Sequence, residues 1–97
     1  MATVTVSPST NVSTEKKHYP NWKVIVLNDD HNSFEHVVTC FVQILPNVTP
    51  DTAWAMAQEI HTTGSSTVWS GPLEQAELYH EQLRVKGLTM APLEQDG

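Results

Sequence analysis

Trp22-Lys23-Val24-Ile25-Val26-Leu27-Asn28-Asp29-Asp30 decides how this chain is read: a strand-forming run leads straight into an amide and two carboxylates. Branched and aromatic side chains suit a pleated, half-buried surface, and the run is short for a helix, so Trp22–Leu27 reads as a strand. The strand delivers polar acceptors to one edge of a small domain, where they can receive a cation.

Working outward from it, Ser33 is a good N-cap, and Phe34, Val37, Val38, Phe41, Val42 and Leu45 recur at helical spacing. Residues 34–45 are therefore expected as an amphipathic helix that Pro46-Asn47 ends and whose apolar face packs on the strand. Thr49-Pro50-Asp51 carries a cap, a proline at the first helical position and an acid in the first turn. A second helix runs from there to His61 with Ala53, Trp54, Ala57, Ile60 and His61 on one face, and Gly64 marks a left-handed exit. Ser66–Trp69 reads as a short strand. Gly71-Pro72 opens a third helix with Leu73, Ala76, His80 and Leu83 on one stripe, closed by Gly87. Leu88–Leu93 is a last strand that Pro92 confines to an edge. The order β-α-α-β-α-β predicts an α+β sandwich, a three-stranded sheet under three helices. Residues 1–18, rich in Ser, Thr, Val, Pro and Asn without continuing periodicity, read as a flexible arm.

The totals limit the function. Ninety-seven residues make one domain with a modest core. Eleven acidic against five basic residues, a formal charge of −6, disfavour nucleic acid and anionic membrane as partners. No apolar stretch approaches the roughly 20 residues of a spanning helix. The single Cys40 excludes an internal disulfide and a cysteine-based zinc cage, and a reducing compartment, the cytoplasm by default, is expected. A soluble monomer without metal or cofactor is the expectation.

Catalytic readings find little support. An acidic pair at a strand end suits the magnesium pocket of a receiver domain, but the chain is too short for that doubly wound sheet and has no second strand end with a phosphoacceptor Asp. A calcium loop beginning at Asn28 or Asp30 lacks its turn glycine and its twelfth-position Glu. His31, His36 and His61 match no zinc-module spacing. Cys40 falls within the apolar face of the first helix, as a small hydrophobe rather than a nucleophile. What remains is a polar strand end beside apolar helix faces. If the two helices pack side by side, amide, carboxylate and imidazole ring the mouth of a small apolar hole, a site for an α-ammonium group attached to a hydrophobic side chain.

The run Val24–Asp30 (V-I-V-L-N-D-D), the helix with Val37-Val38, the Ala-x-x-x-x-Ile-His-x-x-Gly run from Ala55 to Gly64, and Gln75-Ala76-Glu77 together resemble the ClpS family, adaptors of Clp proteases. The resemblance covers residues 19–94 as an adaptor core, leaves 95–97 as a tail, and implies a fold similar to the ribosomal stalk-protein C-terminal domain. It implies that the protein binds N-degrons, proteins that begin with Leu, Phe, Tyr or Trp, and hands them to a hexameric Clp AAA+ unfoldase of the ClpC or ClpA type without covalent chemistry. On the matching positions, Asn28, Asp29 and His61 would hold the α-amino group, with His61 accepting as a neutral imidazole. Phe34, Val37, Cys40, Ala57 and Ile60 would form the pocket, with Asp30 and Asn32 at its entrance.

The sequence departs from the bacterial pattern at several places. Phe34 and Ala57 stand where Met is usual, Asn32 and Ser33 where Thr and Pro are usual. Leu is expected to be accepted, and Met56 is a candidate to restore the lid missing at Ala57. For unfoldase docking, Glu74 matches an acidic position, whereas Tyr79 stands where a Lys is common and points toward the ClpC type of cyanobacteria and chloroplasts, with the stroma as the compartment in a plastid. The rival readings are a stalk-like interaction domain without N-degron binding and a metal-binding or receiver-like domain.

Overall fold

The computed structural model describes residues 20–96, so the arm expected at 1–18 lies outside the described residues. Strand β1 (Asn21–Leu27) is followed by helices α1 (Phe34–Ile44) and α2 (Pro50–Thr63), strand β2 (Ser65–Gly71), helix α3 (Leu73–Val85) and the short strands β3 (Thr89–Met90) and β4 (Glu94–Asp96). The α+β class and the element order follow the sequence reading. β1 lies in the middle, with β2 antiparallel on one side and β3 and β4, also antiparallel, in succession along the other.

The difference lies in the last strand. Pro92 has no amide hydrogen to donate to a ladder. β3 therefore stops at Met90, Ala91 N still donates to Ile25 O at 3.0 Å, and pairing resumes after the proline. β4 then carries the sheet beyond the expected core boundary at 94, with Gln95 opposite Trp22 and Asp96 opposite Asn21.

The capping chemistry sits where the residue types call for it. Ser33 Oγ accepts from His36 N at 3.1 Å, and Thr49 Oγ1 accepts from Thr52 N at 3.2 Å. Each cap satisfies one of the orphan N–H groups of a helix start, worth about 1 kcal/mol. Gly64, at φ 100°, closes α2, and its N–H donates to Ile60 O at 2.9 Å. That left-handed backbone is the one a residue without Cβ adopts freely.

Alternate residues of β1, Val24 and Val26, are buried in a cluster with Cys40, Phe41, Ala53, Ile60, Val68, Ala76, Leu83 and Leu88. Phe41 and Leu83 are fully enclosed and are the largest side chains of this core, so each helix is anchored by residues on its inner stripe. Ser66 is buried, and its hydroxyl donates to Glu59 Oε1 at 2.7 Å, which locks the end of α2 against β2. Trp54, expected on the inner face of α2, is instead 52% exposed. The inner stripe is already filled by Ala53, Ala57 and Ile60, small or slim enough for α2 to pack against α1 and β2, and the indole lies outside it.

Candidate functional site

Beyond Leu27 the chain turns sharply, and Asp29 holds the turn. Its Oδ1 accepts from His31 N at 2.8 Å and from Asn32 N at 2.9 Å, while its Oδ2 accepts from Asn32 Nδ2 at 2.8 Å and from Thr89 Oγ1 at 2.7 Å. A carboxylate offers about four acceptor positions, so both oxygens are filled from within the chain. Burial pushes this carboxyl up, but the hydrogen bonds from Thr89, Asn32 and His31 outweigh it and hold the group well below the usual carboxylate range. Asp29 stays ionised and offers the site its charge rather than a vacant lone pair.

Asn32 extends the brace. Its Nδ2 also donates to Gly87 O at 2.9 Å, and His36 Nε2 donates to Lys86 O at the same distance, so the turn after β1 is pinned to the end of α3. On the other side, Asn28 N donates to Gly64 O at 2.9 Å. That bond brings the exit of α2, and with it His61, beside the end of β1. Three segments distant in sequence thus meet at one edge.

Between α1 and α2 at this edge lies a cavity of about 260 Å³, lined by Asp29, Asn32, Phe34, Val37, Ala57, Ile60 and His61. Its lining divides into a polar part, carboxylate, amide and imidazole, and an apolar part of one aromatic and three aliphatic side chains. An enclosed apolar cavity of roughly 150 Å³ already holds a benzene ring, so the space suffices for a bulky hydrophobic side chain. All seven lining residues are among those singled out from the sequence. Asn28 and Asp30 are exposed on the turn outside the lining. Among the described residues neither of their side chains, nor that of His61, has a hydrogen-bond partner, which leaves acceptors free around the cavity.

Cys40 is buried in the core, one turn beyond Val37 and outside the cavity lining. Burial pushes its thiol up, and the charge of Lys86 pulls weakly the other way. Met56 is half-buried against the core and is not among the residues that line the cavity. Two residues beside the site were not singled out for it from the sequence. Thr89, sixty positions from Asp29, carries no local signal for its role. Trp54 did carry one, its place on the helix face of Ala57 and His61, but it was given no part in the site. Its ring meets Phe34 edge-to-face, with centroids 4.4 Å apart at 61°.

At the opposite end of the fold, Trp69 and Tyr79 form a second edge-to-face pair, 4.9 Å apart at 70°. Glu74 lies exposed in the first turn of α3. Among the described residues, no three His, Cys, Asp or Glu side chains gather as metal ligands would, and no helix is long and apolar enough to cross a membrane.

An apolar cavity with a charged, amide-bearing and imidazole-bearing rim, set in a three-helix α+β sandwich, defines a recognition module. Comparison with known proteins identifies the kind. The family described as "ATP-dependent Clp protease adaptor protein ClpS" matches residues 17–94, and the chain belongs to it. It is 56% identical over 89 residues to the ATP-dependent Clp protease adapter protein ClpS of Thermosynechococcus vestitus, covering 92% of this chain and 95% of that one. It is also 56% identical over 90 residues to the ClpS of a Nostoc species, covering 93% of each. Among solved structures, the fold is similar to Agrobacterium tumefaciens ClpS2 bound to L-phenylalaninamide, with a TM-score of 0.70 and 24% identity over 79% of this chain and 98% of that one. The protein is accordingly a Clp protease adaptor and not an enzyme.

Proposed function

We propose that this adaptor binds polypeptides with a free α-amino group on a bulky hydrophobic first residue, Leu, Phe, Tyr or Trp, and delivers them to a hexameric Clp AAA+ unfoldase. The observation that carries the reading is the cavity between α1 and α2, whose apolar walls adjoin a rim of acceptors. The structural neighbour's ligand, L-phenylalaninamide, has the same two features, an α-amino group and an apolar side chain.

In this reading the ammonium group lies at the polar rim, where Asn28, Asp30 and His61 offer acceptors and Asp29 supplies the negative charge. Each charge-assisted hydrogen bond contributes about 1.5–3 kcal/mol. The first side chain fills the space among Phe34, Val37, Ala57 and Ile60, and its burial adds about 1.5–3 kcal/mol. After the cost of association, a dissociation constant near micromolar, about −8 kcal/mol, is expected. Cys40 supports the wall from behind, and Asn32 acts chiefly by bracing Asp29 and Gly87.

For delivery, the outer face of α3 is the expected docking surface. Exposed Glu74 and Leu78, four residues apart, lie side by side there, an acidic and an apolar group on one face of the helix. Tyr79 is half-buried against Trp69, so it serves packing rather than the charge contact of a Lys, which favours an unfoldase of the ClpC type. The arm at 1–18 is the segment an unfoldase could engage, the adaptor acts as a monomer, and the free thiol of Cys40 suits a reducing cytoplasm or stroma.

Fluorescence anisotropy with peptides differing only in the first residue, each with a free or acetylated amine, tests the binding half. Binding near micromolar is expected for free Leu, Phe, Tyr and Trp, and none for acetylated peptides or for Ser. Equal binding of acetylated and free peptides would remove the ammonium site. Pull-down of ClpC and ClpA hexamers by wild type and Glu74→Arg tests the docking half.

A further inference from the structure

Ala57, which lines the cavity from α2, contributes a single methyl group, and Phe34, which lines it from the start of α1, is only half-buried. A half-exposed ring with so small a neighbour is free to change rotamer unless another group holds it. The Trp54 indole is that group: outside the cavity lining, in edge-to-face contact with Phe34 at 4.4 Å and 61°, and on the α2 face that carries Ala57 and His61. Half of Trp54 is exposed, so it adds little to the core, and no cap, ladder or core contact explains a large aromatic residue at this point on the surface.

Resting on the proposed recognition of hydrophobic first residues, we infer that Trp54 is the positioning residue for selectivity: it buttresses Phe34 against the cavity and so sets the width of a pocket that lacks a side chain at Ala57. Trp54 then acts through Phe34 and not by touching the substrate's first side chain. Without the buttress the Phe34 ring swings outward and the pocket widens. A small side chain such as Leu loses contacts on one side, whereas a Trp side chain fills the added space.

The experiment measures dissociation constants of Leu-, Phe- and Trp-first peptides, free and acetylated, for wild type, Trp54→Ala, Trp54→Phe, Phe34→Ala and the double variant Phe34→Ala/Trp54→Ala. Circular dichroism confirms that all four variants fold. Trp54→Ala is expected to lower Leu binding relative to Trp binding by about 3- to 10-fold, the size of an edge-to-face pair. Trp54→Phe keeps a ring against Phe34 and should restore most of the wild-type ranking. In the Phe34→Ala background, removing Trp54 should change the ranking by less than about 2-fold, because coupled residues are non-additive. An unchanged ranking, or equal weakening of every peptide in Trp54→Ala, overturns the inference while leaving the recognition of N-terminal residues intact. Failure of wild type to bind any free-amine peptide overturns both.

Discussion

Phe34–Trp54 and Trp69–Tyr79 are near copies in geometry, edge-to-face at 4.4 Å and 4.9 Å, yet they stand in opposite settings. Trp69 and Tyr79 are both half-buried and both pack against the core. Gly71 lets them do so, because a Cβ there would collide with the Trp69 ring. Phe34 lines a cavity, and Trp54, outside the lining, is half exposed. The same contact thus completes the packing at one end of the molecule and borders unfilled space at the other. What differs is the residue beside each pair: a glycine that admits the indole at one end, an alanine that leaves space unfilled at the other.

The largest effect is expected at the open end. Asp29→Ala removes the brace and the charge together, so affinity for free-amine peptides should fall at least about 10-fold, the worth of one charge-assisted bond. Titration calorimetry reads this directly, and an unaltered affinity would separate the turn from the site. Asp29→Asn sharpens the point through pH. The folded carboxyl is held below the roughly 3.9 of an unfolded Asp, so its contribution is complete above about pH 5 and is lost as pH falls through the folded value. Denaturant melts of wild type and Asp29→Asn should differ most near neutrality and converge in acid.

At the closed end, Tyr79→Ala should cost about 1–3 kcal/mol of stability and leave peptide affinity within about 2-fold, since the ring is packing and lies away from the cavity. Gly71→Ala should cost a similar amount by forcing the Trp69 indole aside. Urea melts alongside peptide titrations separate the two ends: loss of affinity in either variant would mean that the ends are coupled. The smallest effect is Gly64→Ala, about 1 kcal/mol from the φ of 100° alone, because no atom lies within 4 Å of the added methyl. Because Gly64 O holds Asn28 N, a small loss of peptide affinity should accompany the lower melting midpoint.

Much of the architecture was legible. Ser33, Thr49-Pro50, Gly64 and Gly87 punctuate the chain through strictly local chemistry, and the periodicity of α1 named Phe41 and Leu45 in the core and Val37 and Val38 packed against it, whereas Val42, expected on the same face, is exposed. Pro92 was read as weakening a strand. That it divides one strand in two depended on where β1 offered acceptors, which the local pattern does not contain. Trp54 was placed on one face with Ala53, Ala57, Ile60 and His61, but a helical wheel assigns a face and not its depth, and the small residues on that stripe let α2 pack closely while the indole stays exposed.

Residue type and spacing fixed the fold class and the helix ends, and the resemblance to the ClpS family named the polar and apolar residues that line the cavity. Only tertiary structure decided how those residues divide their work. It filled the Asp29 carboxylate with four internal donors, sent Asn32 to Gly87, buried Cys40 outside the cavity lining and brought the Trp54 ring against Phe34. The reason is physical: a hydrogen bond or ring contact across 20 to 60 residues depends on where packing brings the partners. Thr89 reaches Asp29 only because β3 pairs with the end of β1, with Thr89 opposite Leu27.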